Sequence, residues 1–128
     1  MGMIAGSSSR DQAAQLLEQC MLLYNTGVHT RDFSGLLSLF ADDAILEIEG
    51  TSERGPFAGK REIEAHFADE PPEDPIQLKR WKREGDHLIA EFSWTDIPEG
   101  GGCLILRPRG ERIASLTVAL GGPRCRFR

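Results

Sequence analysis

The chain has 128 residues, of which 40% are hydrophobic and 27% charged, so it is long enough to bury one core without metal or disulfide staples, and disorder is excluded. Its net charge of −5 argues against nucleic acid as the main partner, because binding to phosphates needs a cationic surface that releases counterions. No apolar run approaches the ~20 residues of a membrane helix, and the first residues lack the basic and apolar regions of a signal peptide. No membrane partner is therefore expected.

Charge is uneven along the chain. Residues 1 to 75 hold five Lys/Arg against fourteen Asp/Glu, and residues 76 to 128 hold ten against six. The basic cluster Lys79, Arg80, Lys82 and Arg83 and the tail arginines Arg124, Arg126 and Arg128 read as solvated faces or a loose terminus, with anionic ligands or a partner protein as the alternative. Cys20, Cys103 and Cys125 are odd in number and irregularly spaced, which suggests neither a disulfide framework nor a zinc site and points to a reducing, cytoplasmic setting.

In chain order, residues 1–8 form a flexible leader, after which Ser9 and Gln12 have capping-box spacing. A helix should start there. Leu16, Leu17, Cys20, Met21, Leu23 and Tyr24 recur at helical spacing, and Gly27 should end the run. Asp32 can cap a second short helix bearing Phe33, Leu36, Leu37, Leu39 and Phe40. Ala44 to Glu49 alternates as a strand, with Leu46 and Ile48 inward and Glu47 and Glu49 outward. A loop with Gly55-Pro56 leads to a third helix, Lys60 to Ala68, with Ile63, His66 and Phe67 on its inner side. A Pro-rich acidic linker follows, Asp69 to Pro75. Turn signals at Gly85-Asp86, Pro98 to Gly102 and Arg109-Gly110 then divide the remainder into four antiparallel strands, about Ile76 to Arg83, His87 to Thr95, Cys103 to Pro108 and Arg112 to Leu120. Residues 122–128 form a loose tail. The order predicts a single α+β domain over residues 1–128, three N-terminal helices packed into a strongly curved, mostly antiparallel sheet.

The stretch Asp32-Phe33-Ser34-Gly35-Leu36-Leu37-Ser38-Leu39-Phe40-Ala41-Asp42-Asp43-Ala44, the helix Gly59-Lys60-Arg61-Glu62-Ile63-Glu64-Ala65-His66-Phe67 and the hairpin tip Gly85-Asp86 carry a family resemblance. Together with the element order, the chain resembles the nuclear transport factor 2-like, or ketosteroid-isomerase-like, superfamily and its SnoaL-like branch. That resemblance implies a cone with an internal pocket and a homodimer through the outer sheet face, where Ile89, Ile105 and Trp81 are apolar candidates. It does not imply one activity, since the fold hosts isomerases, cyclases, hydrolases and noncatalytic binders. Carried over from the ketosteroid isomerases, the oxyanion-hole tyrosine falls on Tyr24 and is retained. The general-base aspartate falls on Ile48, the second oxyanion donor on or near Cys103, and two supporting tyrosines on Phe40 and Phe67. Without the base, steroid isomerisation of the usual kind is not expected.

Three side chains are candidates for chemistry. Tyr24 can donate to a ligand carbonyl or oxyanion, or else reach a backbone group. His66 can act as general acid or base, or be a satisfied boundary residue. Asp96 can aim a carboxylate into the cone mouth, or serve the turn before Pro98. Phe40, Leu46, Ile48, Phe57, Phe67, Trp94 and Cys103 are the expected ligand-binding wall. Cys103 is expected as a small hydrophobe rather than a thiolate. His29, His66 and His87 lack metal-ligand spacing, so neither metal nor cofactor is expected. The glycines Gly100-Gly101-Gly102 read as a hairpin loop. Two functions follow: a domain that binds a small apolar organic molecule, with cofactor-free isomerase, cyclase or hydrolase chemistry open to it, or a noncatalytic interaction or regulatory module that dimerises or binds a partner protein.

Overall fold

The computed structural model describes residues 9–49 and 54–120; the expected leader and tail, and the Ser9 side chain, lie outside what is described. The elements are α1 (Ser9–Thr30), α2 (Ser34–Ser38), β1 (Phe40–Glu49), β2 (Arg54–Ala58), α3 (Lys60–Asp69), β3 (Ile76–Glu84), β4 (His87–Trp94), β5 (Gly101–Arg109) and β6 (Arg112–Leu120). The six strands form one open sheet in the order β2-β1-β6-β5-β4-β3. The meander β3 to β6 is antiparallel throughout, as its hairpin spacing requires. The β1–β6 pair is parallel, with Leu46 opposite Leu116 and Ile48 opposite Val118.

Several boundaries differ from the sequence reading, for physical reasons. Helix α1 runs through Gly27 to Thr30. Gly27 is a packing notch rather than a stop, because a Cβ there would collide with the Phe33 ring. The helix closes when the Arg31 amide donates to the Gly27 carbonyl at 2.7 Å, with Arg31 at φ 67°. Helix α2 is shorter than expected, because Phe40 already pairs with Ile113 in the sheet and the Ile113 amide donates to Leu39 at 2.7 Å. Asp32 still serves its start, with its carboxylate accepting the Ser34 amide at 3.0 Å. Residues 54–58, expected as loop, form β2 against β1, pairing Leu46 with Phe57. A proline is tolerated there because β2 is an edge strand.

Bulges bend the sheet between Leu78 and Arg80 and between Arg107 and Pro108. The helices pack on one face, where Leu16 and Leu17 of α1, Ile63 of α3, Leu88 of β4, Leu106 of β5 and Ile113 of β6 share one buried core. Gly101 and Gly102 belong to β5 rather than to a loop. A Cβ at either would run into the carbonyl of Phe92 or Ala119, so only glycine lets the strands approach there.

Candidate functional site: an apolar cavity between the helices and the sheet

Strand parity fixes which side chains can reach the space under the helices. On β1, Leu46 and Ile48 face it, while Glu47 pairs in register with Thr117 on the opposite face. On β4, β5 and β6 the same face carries Phe92 and Trp94, Leu104, and Leu116, Val118 and Leu120. Helix α1 contributes Cys20, Met21 and Tyr24, at helical spacing, and α3 contributes His66 and Phe67. These side chains enclose a cavity of about 320 Å³, at the lower end of the ~300–1,000 Å³ common for small-molecule sites.

The cavity has an apolar floor and a polar mouth. Cys20, Met21, Leu36, Leu46, Leu104 and Leu116 are buried. Burial pushes the Cys20 thiol up to about 12, so it stays protonated and acts as a small apolar wall. At the mouth lie Glu70, Pro72, Glu73 and Asp74, from the segment between α3 and β3. Helix α1 holds that segment: the Tyr24 hydroxyl donates to the Asp74 carbonyl at 3.0 Å. Next to it, the Asn25 amide donates to the Ile76 carbonyl at 2.7 Å and its oxygen accepts the Ile76 amide at 2.9 Å. The Thr95 amide closes the same segment by donating to Pro75 at 3.0 Å. Burial and the nearby Asp74 charge push the Tyr24 hydroxyl up to about 12, so it is a neutral donor at physiological pH.

Of the three chemistry candidates, the structure brings Tyr24 and His66 to this cavity and leaves Asp96 out. His66 stacks on Phe57 with ring centroids 4.4 Å apart and leans on Phe67 at 5.7 Å. Asp96 is exposed and lines a separate open groove with Asn25, His29 and Glu73.

Of the expected wall, Leu46, Ile48, Phe67 and Trp94 line the cavity. Phe40 does not, being fully buried in the core beside Ile113. Phe57 borders a shallow outer groove with Glu62 and Ala65. Cys103 lies on the far face of the sheet, because β5 starts at Gly101 and parity turns Leu104 inward instead. Cys103 is also disulfide-bonded, which corrects the expectation that the cysteine spacing carries no disulfide. Trp81 pairs with Ala90, a buried residue of the helix-facing side, because the bulge after Leu78 shifts parity; it is not on the outer face. Among the lining residues missed from sequence, Glu70, Glu73 and Asp74 sit in a segment that reads only as a solvated linker. Alternation on β6 would have found Leu116, Val118 and Leu120.

Residues 22–116 match the SnoaL-like domain family. A search of curated proteins gives no match. Among solved structures, the chain is similar to an NTF2-like protein from Anabaena variabilis, with a TM-score of 0.70 and 19% identity over 94% of this chain and 96% of that one. It is similar to an NTF-2 like protein of unknown function from Burkholderia xenovorans, with a TM-score of 0.65 and 17% identity over 92% and 89% of the two chains. It is also similar to a computationally designed 17-OHP binder, with a TM-score of 0.64 and 16% identity over 84% and 88%. At these identities the structures speak for the fold, and the match over residues 22–116 speaks for the family. The chain belongs to the SnoaL-like family, and its fold is that of the NTF2-like structures it resembles.

Proposed function

We propose that this protein binds a small, mostly apolar organic molecule in the cavity between α1, α3 and the sheet. The observation that carries the reading is the cavity itself: about 320 Å³ of space floored by Leu46, Leu104 and Leu116 and left unfilled by side chains. Close packing is the rule in protein interiors, so a void of this size in a domain of 128 residues is a feature to be explained by a ligand. That a designed 17-OHP binder shares the fold supports the same reading. His66 is the lining side chain suited to moving a proton near neutral pH, so cofactor-free isomerase, cyclase or hydrolase chemistry would run through it. Tyr24 orients the mouth rather than polarising a substrate, since its proton is committed to the Asp74 carbonyl.

The test is a thermal-shift screen against steroids, polyketide-like aromatics, terpene epoxides and fatty acids, run beside Leu116→Trp, which fills the cavity. A ligand at ~100 times its dissociation constant adds about 2.7 kcal/mol, a rise of several degrees for a domain of this size. A shift seen in the wild type and lost in a folded Leu116→Trp supports the reading. No shift from any class, or shifts that survive the filled cavity, would sink it. Substrates of any ligand found are then assayed with His66→Gln; turnover that persists in that variant removes His66 from the chemistry.

Location and assembly belong to the same proposal. Among the described residues no helix is long and apolar enough to cross a membrane. The cysteine spacing suggests the cytoplasm, whereas the disulfide at Cys103 favours an oxidising setting. Acid-quenching cells and alkylating under denaturing conditions separates the two, because Cys103, buried in the folded chain, is then labelled if the setting is reducing and not if it is oxidising. Self-association is assigned to the face opposite the cavity, where Ile45 and Ile105 are exposed.

A further inference from the structure

We infer that the cavity selects lipophilic molecules carrying a positive charge over those carrying a negative one, an inference that rests on the cavity being a ligand site. Among the described residues that line it, the charged side chains are Glu70, Glu73 and Asp74, and none is lysine or arginine. All three carboxylates lie at the mouth and are exposed, while the floor is apolar and buried. A ligand that places its apolar body on the floor therefore leaves its polar end beside them. The rings of Tyr24 and Trp94 line the same cavity, and aromatic faces attract cations.

An anionic end meets the opposite situation. It would enter a region of like charge, and the Tyr24 hydroxyl already gives its proton to the Asp74 carbonyl. The ring N–H groups of His66 and Trp94 can donate to such an end, but desolvating a carboxylate with no lysine or arginine in the lining as counter-charge is unfavourable. The carboxylates at the mouth thus act as specificity-determining groups through charge, and because they are exposed their effect is sensitive to ionic strength.

The experiment is calorimetric titration of the full chain with three ligands of one skeleton: 4-phenylbutylamine, 4-phenylbutanol and 4-phenylbutyrate. It is run at about pH 8, where reference imidazoles are neutral and alkylamines remain protonated, in low salt and again at about 0.5 M salt. The amine is expected to bind about tenfold tighter than the carboxylate in low salt, with the alcohol between them. The gap should narrow in high salt and in the double variant Glu73→Gln/Asp74→Asn, and persist in Glu111→Gln, a carboxylate of the β5–β6 turn. If the alcohol binds but the amine is no tighter than the carboxylate, charge selection is overturned and the cavity reading stands. If none of the three binds, both fall. The salt series uses the wild type alone, so the inference is decided even where the double variant does not fold.

Discussion

The Tyr24 hydroxyl on α1 donates to the main-chain carbonyl of Asp74, 3.0 Å away and fifty positions along the chain. One phenol thus ties the first helix to the segment that carries the cavity's acidic mouth. Tyr24→Phe removes this bond and little else, so it should cost about 1 kcal/mol and lower the melting temperature by a few degrees. Ligand affinity should change less than twofold, while ligand entry and exit both speed up as the mouth loosens. A hydroxyl that donated to the ligand would give the reverse: a higher Kd, set by faster release, with the melting temperature unchanged.

The same phenol gives the fold an alkaline limit. Tyr24 is held up to about 12 by burial and the Asp74 charge, above the reference value near 10. A group with a raised folded pKa contributes stability that is fully present below the unfolded value and lost as pH rises through the folded one. The stability attached to Tyr24 should therefore disappear between about pH 10 and pH 12, and Tyr24→Phe should flatten that part of the curve. Because the chain has one tyrosine, tyrosinate absorbance reports Tyr24 alone. A midpoint near 10 in the folded protein would refute the buried, hydrogen-bonded state.

Asn25 is the stronger of the two ties. It makes both a donor and an acceptor bond to the backbone of Ile76, a buried residue at the start of β3. Asn25→Ala leaves both groups unmatched and should destabilise the protein by about 3 kcal/mol. Asn25→Asp keeps the acceptor and should lose less. Hydrogen exchange at the Ile76 amide should accelerate in the alanine variant before exchange in β5 and β6 does. Uniform acceleration would mean that the segment has no local stability of its own.

Gly27 makes a counter-intuitive case. Alanine favours an exposed helix interior over glycine by about 1 kcal/mol, yet at this position its Cβ meets the Phe33 ring. Overpacking typically costs about 1–3 kcal/mol, so Gly27→Ala should destabilise by about 1 kcal/mol in chemical denaturation. The loss should shrink in a Phe33→Leu background, and equal losses in the two backgrounds would place the cause elsewhere.

How far the site was legible depends on whether its residues sit in periodic elements. Leu46 and Ile48 could be read as cavity wall from alternation alone, and Phe67 from helical spacing, because each lies inside a regular run. Cys103 could not, since its parity depends on where β5 begins, and the glycines before it read as a loop instead of the close-packed strand they form. Phe40 has the spacing of a helix residue, and only its pairing with Ile113, 73 positions away, makes it a strand residue. Glu70, Glu73 and Asp74 carry no periodic signal at all. They become a mouth through the side chains of Tyr24 and Asn25, which no local pattern in residues 70–76 encodes.

The outer face of the sheet carries the last prediction. Ile105 is 39% exposed and pairs with Ile89 on one side and Thr117 on the other. Ile45, 44% exposed, is another isoleucine on this face, opposite Ser115. Isolated exposed isoleucines are ordinary on a monomer, but the Ile89–Ile105 pair in the middle of a sheet face is better covered by a second copy. Sedimentation at micromolar concentration should give twice the chain mass of 14.2 kDa. Ile105→Lys places a charge on that pair and should return the protein to a folded monomer that still binds ligand, since the cavity opens on the other face. Ile97→Lys, at a more exposed isoleucine in the β4–β5 loop, should leave the dimer intact. A wild-type monomer, or a dimer indifferent to Ile105→Lys and broken by Ile97→Lys, would move the interface off the sheet.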